Sequence, residues 1–468
     1  MVAGEQVQLG ERDQQVLDWA LGRFPQAEDA YPATGMQSYA LERIHGLPGT
    51  GVYITHQWFR FTDPAFDPEA LEQAWQHTVN AFPALRSGYA KDDTGRWIQI
   101  VHRDVEVRIE RHDLRTVRPI EQERRVHAEI AAQRRIRFAG PPPQLRLVLF
   151  RRDEHTYDYV HFFSLTAQDG WSYQIMVRGL LEAYHAFVAG QEPARQEVTS
   201  AYGDFCVEQA RRDMTGALDF WRRELDGVPM PPPAITLPAG DRTPDPVTPL
   251  LQETAELPAE LVNGLWQLSR EHDLRINTVV HGAWVLMLAA ITGADTVVCG
   301  TVYSGRSTTA VDVDRASGLM FNILPVVTRL DRSAPLLSWL AGVQETISGL
   351  NDYEYVTPAA LHELTGAPSG QPLFDSYLVS ENLPGMADNL QQFMSLLGGL
   401  PVQILAQTDH PLRVEMAIAG EFMQVSFNHW AGYFPAGVVA GWLGAFVRTL
   451  RSIVADPHGP LGGYVADL

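Results

Sequence analysis

The sequence predicts an α/β protein of two domains, and three observations support this prediction. At 468 residues the chain is too long for one ordinary hydrophobic core. Apolar runs typical of buried strands alternate with segments whose apolar residues recur at helical spacing. The proline-rich stretch from Pro229 to Pro249 can form neither a helix nor a central strand, so it marks a domain boundary. We therefore predict an N-terminal domain over 1–228, a linker over 229–250 and a C-terminal domain over 251–468.

The elements follow from local patterns along the chain. Asp67, Pro68 and Glu69 form a helix start, with an N-cap, a proline in the first turn and an early acid. The second half repeats the order of elements found in the first. We expect helices over 10–28, from Asp67, from Tyr173 and over Ile276–Ile291, strands over Val52–Phe61, Trp97–Val107, Leu145–Phe150 and Thr296–Val302, and closing strands over Leu412–Phe434 before a helix to Ile453.

Composition and charge exclude several classes of protein. Hydrophobic residues at 45% and charged residues at 20% are typical of a soluble globular chain, and a formal net charge of −20 argues against a nucleic-acid or anionic-membrane surface. The N-terminus has no signal-peptide pattern. The sequence contains no uninterrupted apolar run of about 18 residues, so no membrane span is predicted. Two cysteines, Cys206 and Cys299, fit a reducing compartment, so we expect a cytoplasmic protein. No metal-ligand spacing is found, and no metal site is predicted.

The stretch from Val160 to Ser172 carries the expected chemistry. It opens as an apolar strand, breaks at a polar loop from Thr166 to Gly170, and continues as a helix. This order places Asp169 and the Gly170 amide at a helix entrance. Backbone N–H groups there lack partners inside the helix and the local dipole favours negative charge, so the site could hold an oxyanion.

The same stretch resembles the core motif of nonribosomal-peptide condensation domains, His-His-x-x-x-Asp-Gly followed by Trp-Ser. Residues 169–172 match the Asp-Gly-Trp-Ser part. Ser164 and Leu165 stand at the two histidine positions. In the family the second histidine lies beside the attacking amine, and leucine cannot accept a proton. The chain therefore lacks the usual base of such a site.

Further segments resemble the family's motifs in the same order along almost the whole chain. The resemblance implies two chloramphenicol-acetyltransferase-like lobes in a V-shaped pseudo-dimer, with mixed sheets flanked by helices and an active site in a tunnel between the lobes. The matching segments are Tyr31–Ser38, Phe82–Ser87, Tyr202–Phe205, Phe220–Trp221, Tyr303–Arg306, Gly318–Pro325, Phe374–Ser376 and Glu381–Pro384.

The resemblance also implies partners and substrates. An acidic peptidyl carrier protein would supply an aminoacyl thioester on its phosphopantetheine arm, and the acceptor would be a small-molecule amine. The chain would need no cofactor of its own, and no contact with nucleic acid or membrane is expected.

Each residue of the predicted site has an expected role. Asp169 is expected to pair with Arg306 and to be structural, because a carboxylate beside a guanidinium is a poor proton acceptor. Gly170 would donate its N–H to the oxyanion, and Trp171 would form a packing wall. The candidates for holding the amine are Ser164, Thr166 and Gln168; the further substrate contacts are Tyr303, Asn322, Asn382 and His161, the last of which is also interpreted as a core histidine.

Three functions remain open from the sequence: an amide-forming enzyme without a histidine, a non-catalytic recruitment module, and an ester-forming acyltransferase. The polar loop and the lack of attached adenylation or carrier segments favour a discrete enzyme. The heptapeptide Ser-Leu-Thr-Ala-Gln-Asp-Gly at 164–170 resembles that of the condensing enzymes of lincosamide antibiotic biosynthesis. That resemblance would imply joining a carrier-bound proline-type amino acid to the amine of a thio-octose sugar.

The segment 103–151 is unusually rich in arginine for an acidic protein. One interpretation is a solvated helix face with arginines paired to Glu121, Glu123 and Glu129 at helical spacing. The alternative is a local basic patch for an acidic partner.

Overall fold

The computed structural model describes residues 11–465 apart from 137, 139, 195–200, 239–248, 308, 310, 311, 313–315, 368–371, 382–400, 407, 420 and 421. The chain divides into two compact units. Unit 1 comprises Met1–Arg212, Thr309–Met320 and Leu383–Thr408, and unit 2 comprises Asp213–Thr308, Phe321–Asn382 and Asp409–Leu468. Each unit therefore consists of three separate stretches of the chain, whereas each predicted domain was one continuous stretch.

The secondary structure alternates helices and strands, and its local signals are those found in the sequence. Asp67 caps its helix as predicted, because its side chain accepts hydrogen bonds from the N–H groups of Glu69 and Ala70. The elements are α1 Glu11–Arg23, β1 Ala27–Pro32, α2 Gly35–Gly46, β2 Ile54–Thr62, α3 Pro68–Ala81, β3 Ser87–Lys91, β4 Trp97–His102, β5 Ile109–Asp113, α4 Pro119–Gln133, β6 Leu145–Arg151, β7 Thr156–Ser164, α5 Gly170–Val188, α6 Ala201–Arg211, α7 Thr215–Glu224, β8 Leu250–Glu256, α8 Ala259–Glu271, α9 Ile276–Thr292, β9 Thr296–Tyr303, β10 Asn322–Arg329, α10 Leu336–Gly349, α11 Pro358–Thr365, β11 Ser376–Glu381, β12 Pro401–Ala406, β13 Leu412–Ala419, β14 Phe422–Trp430 and α12 Val438–Ala455.

Unit 1 is built on a mixed sheet in the order β12-β2-β7-β6-β5, with β5 parallel to β6 and the other pairs antiparallel. A smaller antiparallel sheet has the order β1-β4-β3. Strand β7 is buried on both faces: Phe163 packs with Trp75 and Tyr173 of α3 and α5, while Val160 and Phe162 pack on the opposite side with α4. Burial on both faces explains why the sequence of β7 is a continuous apolar run.

Unit 2 is built on a mixed sheet in the order β10-β9-β11-β13-β14-β8, in which β11 runs parallel to both of its neighbours. Helices α8, α9, α10 and α12 cover this sheet around a core that includes Trp284, Phe427 and Phe446, each of which is fully buried. Both units are thus α/β layers with mixed sheets flanked by helices, as the sequence predicts.

The described part of the proline-rich stretch packs on unit 2. The Ile235 N–H donates to Asp375 Oδ2 at 3.0 Å, and the Leu237 N–H donates to the Tyr433 carbonyl at 2.8 Å. These bonds use backbone groups that the neighbouring prolines lack. The segment expected to be a linker is therefore attached to unit 2 before β8 begins.

Helix α12, together with α8 and α9, bears on the expectation of no membrane span. Among the described residues, α12 is long and apolar enough by composition to cross a membrane, and so are α8 and α9 taken together, although the two are bent by 110°. Trp442, Phe446 and Ile453 of α12 are buried in the core of unit 2, as in a core helix of a globular protein.

The arginine-rich segment is largely paired with acids. Arg124 and Arg125 each lie 3.6 Å from Glu121, and Arg115 pairs with Asp113 and Glu154. Pairing with acids supports the solvated face over a basic patch, but the helical pairing is seen for Glu121, whereas Glu123 pairs with Arg60 and Arg152 and Glu129 accepts a hydrogen bond from Gln133.

Both cysteines are buried thiols. Burial raises the pKa of Cys206 well above its usual value and that of Cys299 to about 12. Thiols with raised pKa values carry little thiolate, so Cys206 and Cys299 are packed rather than reactive thiols.

Candidate active site

The turn between β7 and α5 is an ordered loop. The Ser164 N–H donates to the Gln144 carbonyl at 3.0 Å, the Leu165 N–H to the Tyr53 carbonyl at 2.8 Å, and the Ala167 N–H to the Ser164 carbonyl at 3.1 Å. Helix α5 begins at Gly170, three residues before the apolar periodicity becomes visible in the sequence. Consecutive backbone bonds therefore define the path of the motif up to the helix.

Asp169 caps α5 and also holds a distant segment. Its Oδ1 accepts the Ser172 N–H at 2.8 Å, and its Oδ2 accepts the Met320 N–H at 3.1 Å. The carboxylate is 3% exposed, so both bonds are shielded from water. A buried carboxylate that accepts two backbone N–H groups acts as a structural anchor for the turn.

The segment 316–320 is held by a second set of contacts. The Ser172 hydroxyl donates to the Gly318 carbonyl at 2.8 Å and accepts the Gly318 N–H at 2.9 Å. The Tyr202 hydroxyl donates to the Leu319 carbonyl at 3.0 Å, and a Cβ on Gly318 would lie 2.3 Å from the Tyr202 ring. Only glycine allows this approach, which gives the Gly318 motif position a physical reason.

The carbonyl of Thr166 is bound from the other side of the loop. It accepts Gln37 Nε2 at 2.7 Å and the Tyr89 hydroxyl at 2.8 Å. Gln37 also closes the capping box of α2 with Thr34. The glutamine of the opening motif therefore connects the start of α2 to the loop that follows the missing histidine.

The three polar side chains of the loop are completely buried. The Ser164 and Thr166 hydroxyls lie 2.7 Å apart and bond to each other. Gln168 Nε2 lies 3.2 Å from Met176 Sδ, a weak acceptor, and within the described chain its Oε1 has no hydrogen-bond partner. Ser164 and Thr166 thus shape the loop, whereas the Gln168 amide retains unused capacity; contact of any of the three with an amine stays a prediction.

Leu165 occupies the position of the second histidine. Its side chain is half-buried and packs against the core that includes Phe163 and Tyr173. The position is therefore a hydrophobic contact continuous with the core of unit 1.

Gly170 and Trp171 form the first turn of α5. Gly170 is exposed and Trp171 is half-buried. As the first residue of the helix, Gly170 has an N–H with no acceptor inside the helix. A free helix N–H thus lies at the place that the sequence indicates, and its role as an oxyanion donor stays a prediction.

His161 lies in an aromatic core. Its ring meets Trp75 edge-on at 4.6 Å and stacks on Tyr173 at 6.0 Å. Burial lowers the pKa of His161 to about 3, which keeps the imidazole neutral. These surroundings are those of a core histidine, and contact of His161 with a substrate stays a prediction.

In unit 2, Glu354 organises the turn that carries Arg306. Its carboxylate accepts the Gly305 N–H at 3.0 Å and the Ser307 N–H at 2.8 Å, while Gly305 adopts a φ of 71° that favours glycine. Arg306 is 8% exposed, and its Nη1 donates to the Ser304 carbonyl at 3.1 Å. Asp169 belongs to unit 1, so its expected ion pair with Arg306 stays a prediction.

Asn322 and Tyr303 have structural bonds where substrate contacts were expected. Asn322 Nδ2 donates to the carbonyls of Glu354 at 2.9 Å and Val356 at 2.6 Å, and the Tyr303 hydroxyl donates to the Ile347 carbonyl at 3.0 Å. Burial raises the pKa of Tyr303 well above its usual value. Both side chains stabilise unit 2. Asn382 lies outside the described residues.

Sequence reasoning missed three contacts that shape this site. Tyr89 lies in none of the segments that resemble family motifs, and Glu354 was not among the predicted site residues. The Met320 N–H is a backbone group, which a sequence motif does not indicate. Gln37 was quoted as part of a motif but without a partner. A buried polar residue inside an apolar stretch was the available signal, and it does not reveal the partner.

Comparison with known proteins identifies the family. The family model described as Condensation domain matches residues 27–466. One chain of the linear gramicidin synthase from Brevibacillus parabrevis is 30% identical over 454 residues, covering 96% of this chain and 6% of that relative. Chondramide synthase cmdD of Chondromyces crocatus is 28% identical over 384 residues, covering 81% of this chain and 10% of that relative. The chain thus spans a small fraction of the length of these curated relatives.

Solved structures share the fold. The condensation domain from Monacolin K polyketide synthase MokA superposes with a TM-score of 0.77 at 16% identity, covering 93% of this chain and 100% of that domain. A mutant starter condensation domain of rhizomide synthetase RzmA, in complex with C8-CoA and Leu-SNAC, gives a TM-score of 0.76 at 15% identity, covering 97% and 98%. The shared fold and the family match over nearly the whole sequence show that this chain belongs to the condensation-domain family.

Proposed function

We propose that this chain forms an amide bond between an aminoacyl thioester on the phosphopantetheine arm of a carrier protein and an amine, without a histidine base. The observation that carries the proposal is the ordered 164–170 loop. Its backbone bonds, its helix cap Asp169 and the N–H of the exposed residue Gly170 are present, although Leu165 fills the position of the base. The backbone bonds and the cap also support the fold, so the Gly170 N–H is the feature that a recruitment module would not need.

The proposed step balances without a protein base. The amine nitrogen attacks the thioester carbonyl carbon, and the carbonyl oxygen becomes an oxyanion that the Gly170 N–H binds. The carbon–sulfur bond then breaks and the phosphopantetheine thiolate leaves. The proton released by the new ammonium nitrogen neutralises the thiolate, directly or through water. The products are an amide and a free thiol.

Magnitudes favour amide formation over the ester-forming alternative. Loss of a general base costs typically about 10²–10⁴-fold in rate. Orientation of two bound reactants supplies effective molarities of about 10⁵–10⁸ M, and one oxyanion donor is worth about 10²–10³-fold. A thioester is already activated and an amine is a good nucleophile, so these contributions suffice. An alcohol is a weaker nucleophile, and its attack depends more on the missing base.

The substrate class is an acyl or aminoacyl thioester, which agrees with the C8-CoA and Leu-SNAC bound to the rhizomide neighbour. The carrier is proposed to be an acidic peptidyl carrier protein. The heptapeptide at 164–170 favours a proline-type amino acid as donor and the amine of a thio-octose sugar as acceptor, in antibiotic biosynthesis. These finer assignments rest on that heptapeptide alone.

The test is a reconstitution with loaded carrier proteins. The protein is incubated with carriers bearing prolyl, substituted prolyl or unrelated aminoacyl groups and with candidate amines that include amino sugars. Mass spectrometry of the small molecules and of the intact carrier measures product and released thiol. We expect an amide product and free holo-carrier in equal amounts, and none without the protein.

Two other outcomes would contradict the proposal. Ester products with hydroxyl acceptors and none with amines would favour the acyltransferase. Tight association with carriers or partner enzymes, with no product from any donor and acceptor pair, would favour the recruitment module.

A further inference from the structure

We propose that Tyr89 is a positioning residue that fixes the motif loop through the carbonyl of Thr166. Tyr89 lies on β3 of the small sheet, far in sequence from the loop. Its hydroxyl donates to the Thr166 carbonyl at 2.8 Å. The carbonyl belongs to the residue directly after Leu165, so this bond acts on the backbone beside the missing base.

The donor is part of a buried network that begins on the small sheet. Tyr31, Gln99 and Tyr89 are cross-strand neighbours on β1, β4 and β3. Gln99 Nε2 donates to the Tyr31 hydroxyl at 3.2 Å and to the Ser87 hydroxyl at 2.9 Å, while its Oε1 accepts Gln37 Nε2 at 2.7 Å. A sheet fixes side-chain spacing, so the network presents its donors at one position.

Two donors converge on the Thr166 carbonyl. Gln37 Nε2 has two hydrogens, and its 2.7 Å bonds to Gln99 Oε1 and to the Thr166 carbonyl use both. Its 3.4 Å distance to the Tyr89 hydroxyl is the weaker interaction. The carbonyl therefore has both lone pairs occupied, one by Gln37 and one by Tyr89.

Burial makes the arrangement persistent. Gln37 and Gln99 are 0% exposed and Tyr89 is 7% exposed. Burial raises the pKa of Tyr89 well above its usual value, so the hydroxyl stays protonated and remains a donor. A buried carbonyl that loses a donor is costly to leave unpaired, and the loop would shift to recover a partner.

The bond from Tyr89 affects the reaction through the position of the Gly170 N–H. The loop from Leu165 to Gly170 carries the oxyanion donor, and its path is set by backbone bonds and by this carbonyl. An enzyme that lacks a base depends on orientation, so small displacements of Gly170 lower turnover without weakening ground-state binding. This kinetic consequence rests on the proposed function, whereas the effect on loop order does not.

The test compares Tyr89→Phe with Tyr31→Phe. Both variants remove one hydroxyl from the same network. The Tyr89 hydroxyl bonds directly to the loop, whereas the Tyr31 hydroxyl bonds to Gln99, whose Nε2 keeps its other bond to Ser87. Amide hydrogen exchange of the peptide covering 165–170 is measured by mass spectrometry, together with kcat and KM in the carrier assay. For Tyr89→Phe we expect exchange to rise and kcat to fall by about 3- to 10-fold, as for one neutral hydrogen bond, with KM unchanged. Tyr31→Phe leaves both donors of the Thr166 carbonyl in place, so it should change exchange and kcat clearly less than Tyr89→Phe.

Hydrogen exchange and kinetics test different parts of the proposal. Unchanged exchange of 165–170 in Tyr89→Phe, or an equal change in Tyr31→Phe, would overturn the positioning role. A wild-type protein with no turnover would contradict the proposed function, while the exchange experiment would still decide the role of Tyr89. A rise in KM with kcat unchanged would contradict the kinetic consequence, because Tyr89 would then act on binding.

Discussion

Asp169 is predicted to be an anchor whose loss costs more than that of an ordinary helix cap. Asp169→Ala removes the bond to the Ser172 N–H, worth about 1 kcal/mol for an N-cap. It also leaves the buried Met320 N–H without this acceptor, which costs about 1–3 kcal/mol. The two losses together predict a fall of about 2–4 kcal/mol in the free energy of unfolding.

Two control variants separate these contributions. Asp67→Ala removes an N-cap that bonds only to the first turn of its own helix, so it should cost about 1 kcal/mol. Asp169→Asn keeps Oδ1 as a cap acceptor but turns an N–H₂ group toward the Met320 N–H, so it should fall between the alanine variant and the wild type. Guanidinium unfolding followed by circular dichroism measures all three.

The order of the variants tests the reasoning. A loss in Asp169→Ala no larger than in Asp67→Ala would show that the Met320 contact contributes nothing. If Asp169→Asn costs as much as Asp169→Ala, the charge itself matters, as the predicted pair with Arg306 requires. Removing one partner of a buried ion pair costs about 3–5 kcal/mol.

Three further predictions concern Leu165, Gln168 and His161. Leu165→His should not raise turnover in the carrier assay, because the leucine packs on the core and an imidazole would lose that contact; a large gain would refute the base-free account. Gln168→Met should leave the free energy of unfolding unchanged or higher, because among the described residues the Gln168 amide has only a thioether partner. If the amide orients the amine, the same variant should have a lower kcat, and an unchanged kcat would remove that role. The folded-state pKa of His161 is about 3 against an ordinary 6.5, so the unfolded chain binds more protons between these values and stability falls with acidification, by about 2 kcal/mol from pH 7 to pH 5. His161→Phe should remove that part of the loss in pH-dependent unfolding, and an unchanged pH dependence would refute the burial argument.

The sequence predicted what local patterns control. The apolar run of β7, the polar loop and the helix that follows were placed correctly, as were the Asp67 cap and the position of Asp169 at a helix entrance. These features depend on neighbours within a few residues. The start of α5 was placed three residues late because its first turn carries the motif rather than apolar residues.

Contacts between residues far apart in the chain could not be predicted from the sequence. Gln37 and Thr166 are 129 residues apart, and Asp169 and Met320 are 151 apart, so no local pattern links them. The sequence did not show that the Ser164 and Thr166 hydroxyls bond to each other. Asn322 and Tyr303 were chosen from motif positions, but their partners are backbone carbonyls of unit 2. Which partner a buried polar group finds is decided by tertiary packing.

The backbone N–H of Gly170 is the group on which the proposed mechanism depends, and one substitution removes it alone. Gly170→Pro deletes the N–H at the first position of α5, where proline is favoured. The preceding Asp169 is already extended, with φ −102° and ψ 177°, as proline requires of its neighbour. Gly170→Ala keeps the N–H and is the matched control.

The decisive measurement is the turnover of these two variants with the same loaded carrier and amine. We predict that Gly170→Pro loses about 10²–10³-fold in kcat, as for one oxyanion donor, while its helix content stays that of the wild type. Gly170→Ala should retain most of the activity. Full turnover in the proline variant, or an equal loss in both variants, would contradict amide formation through the Gly170 N–H.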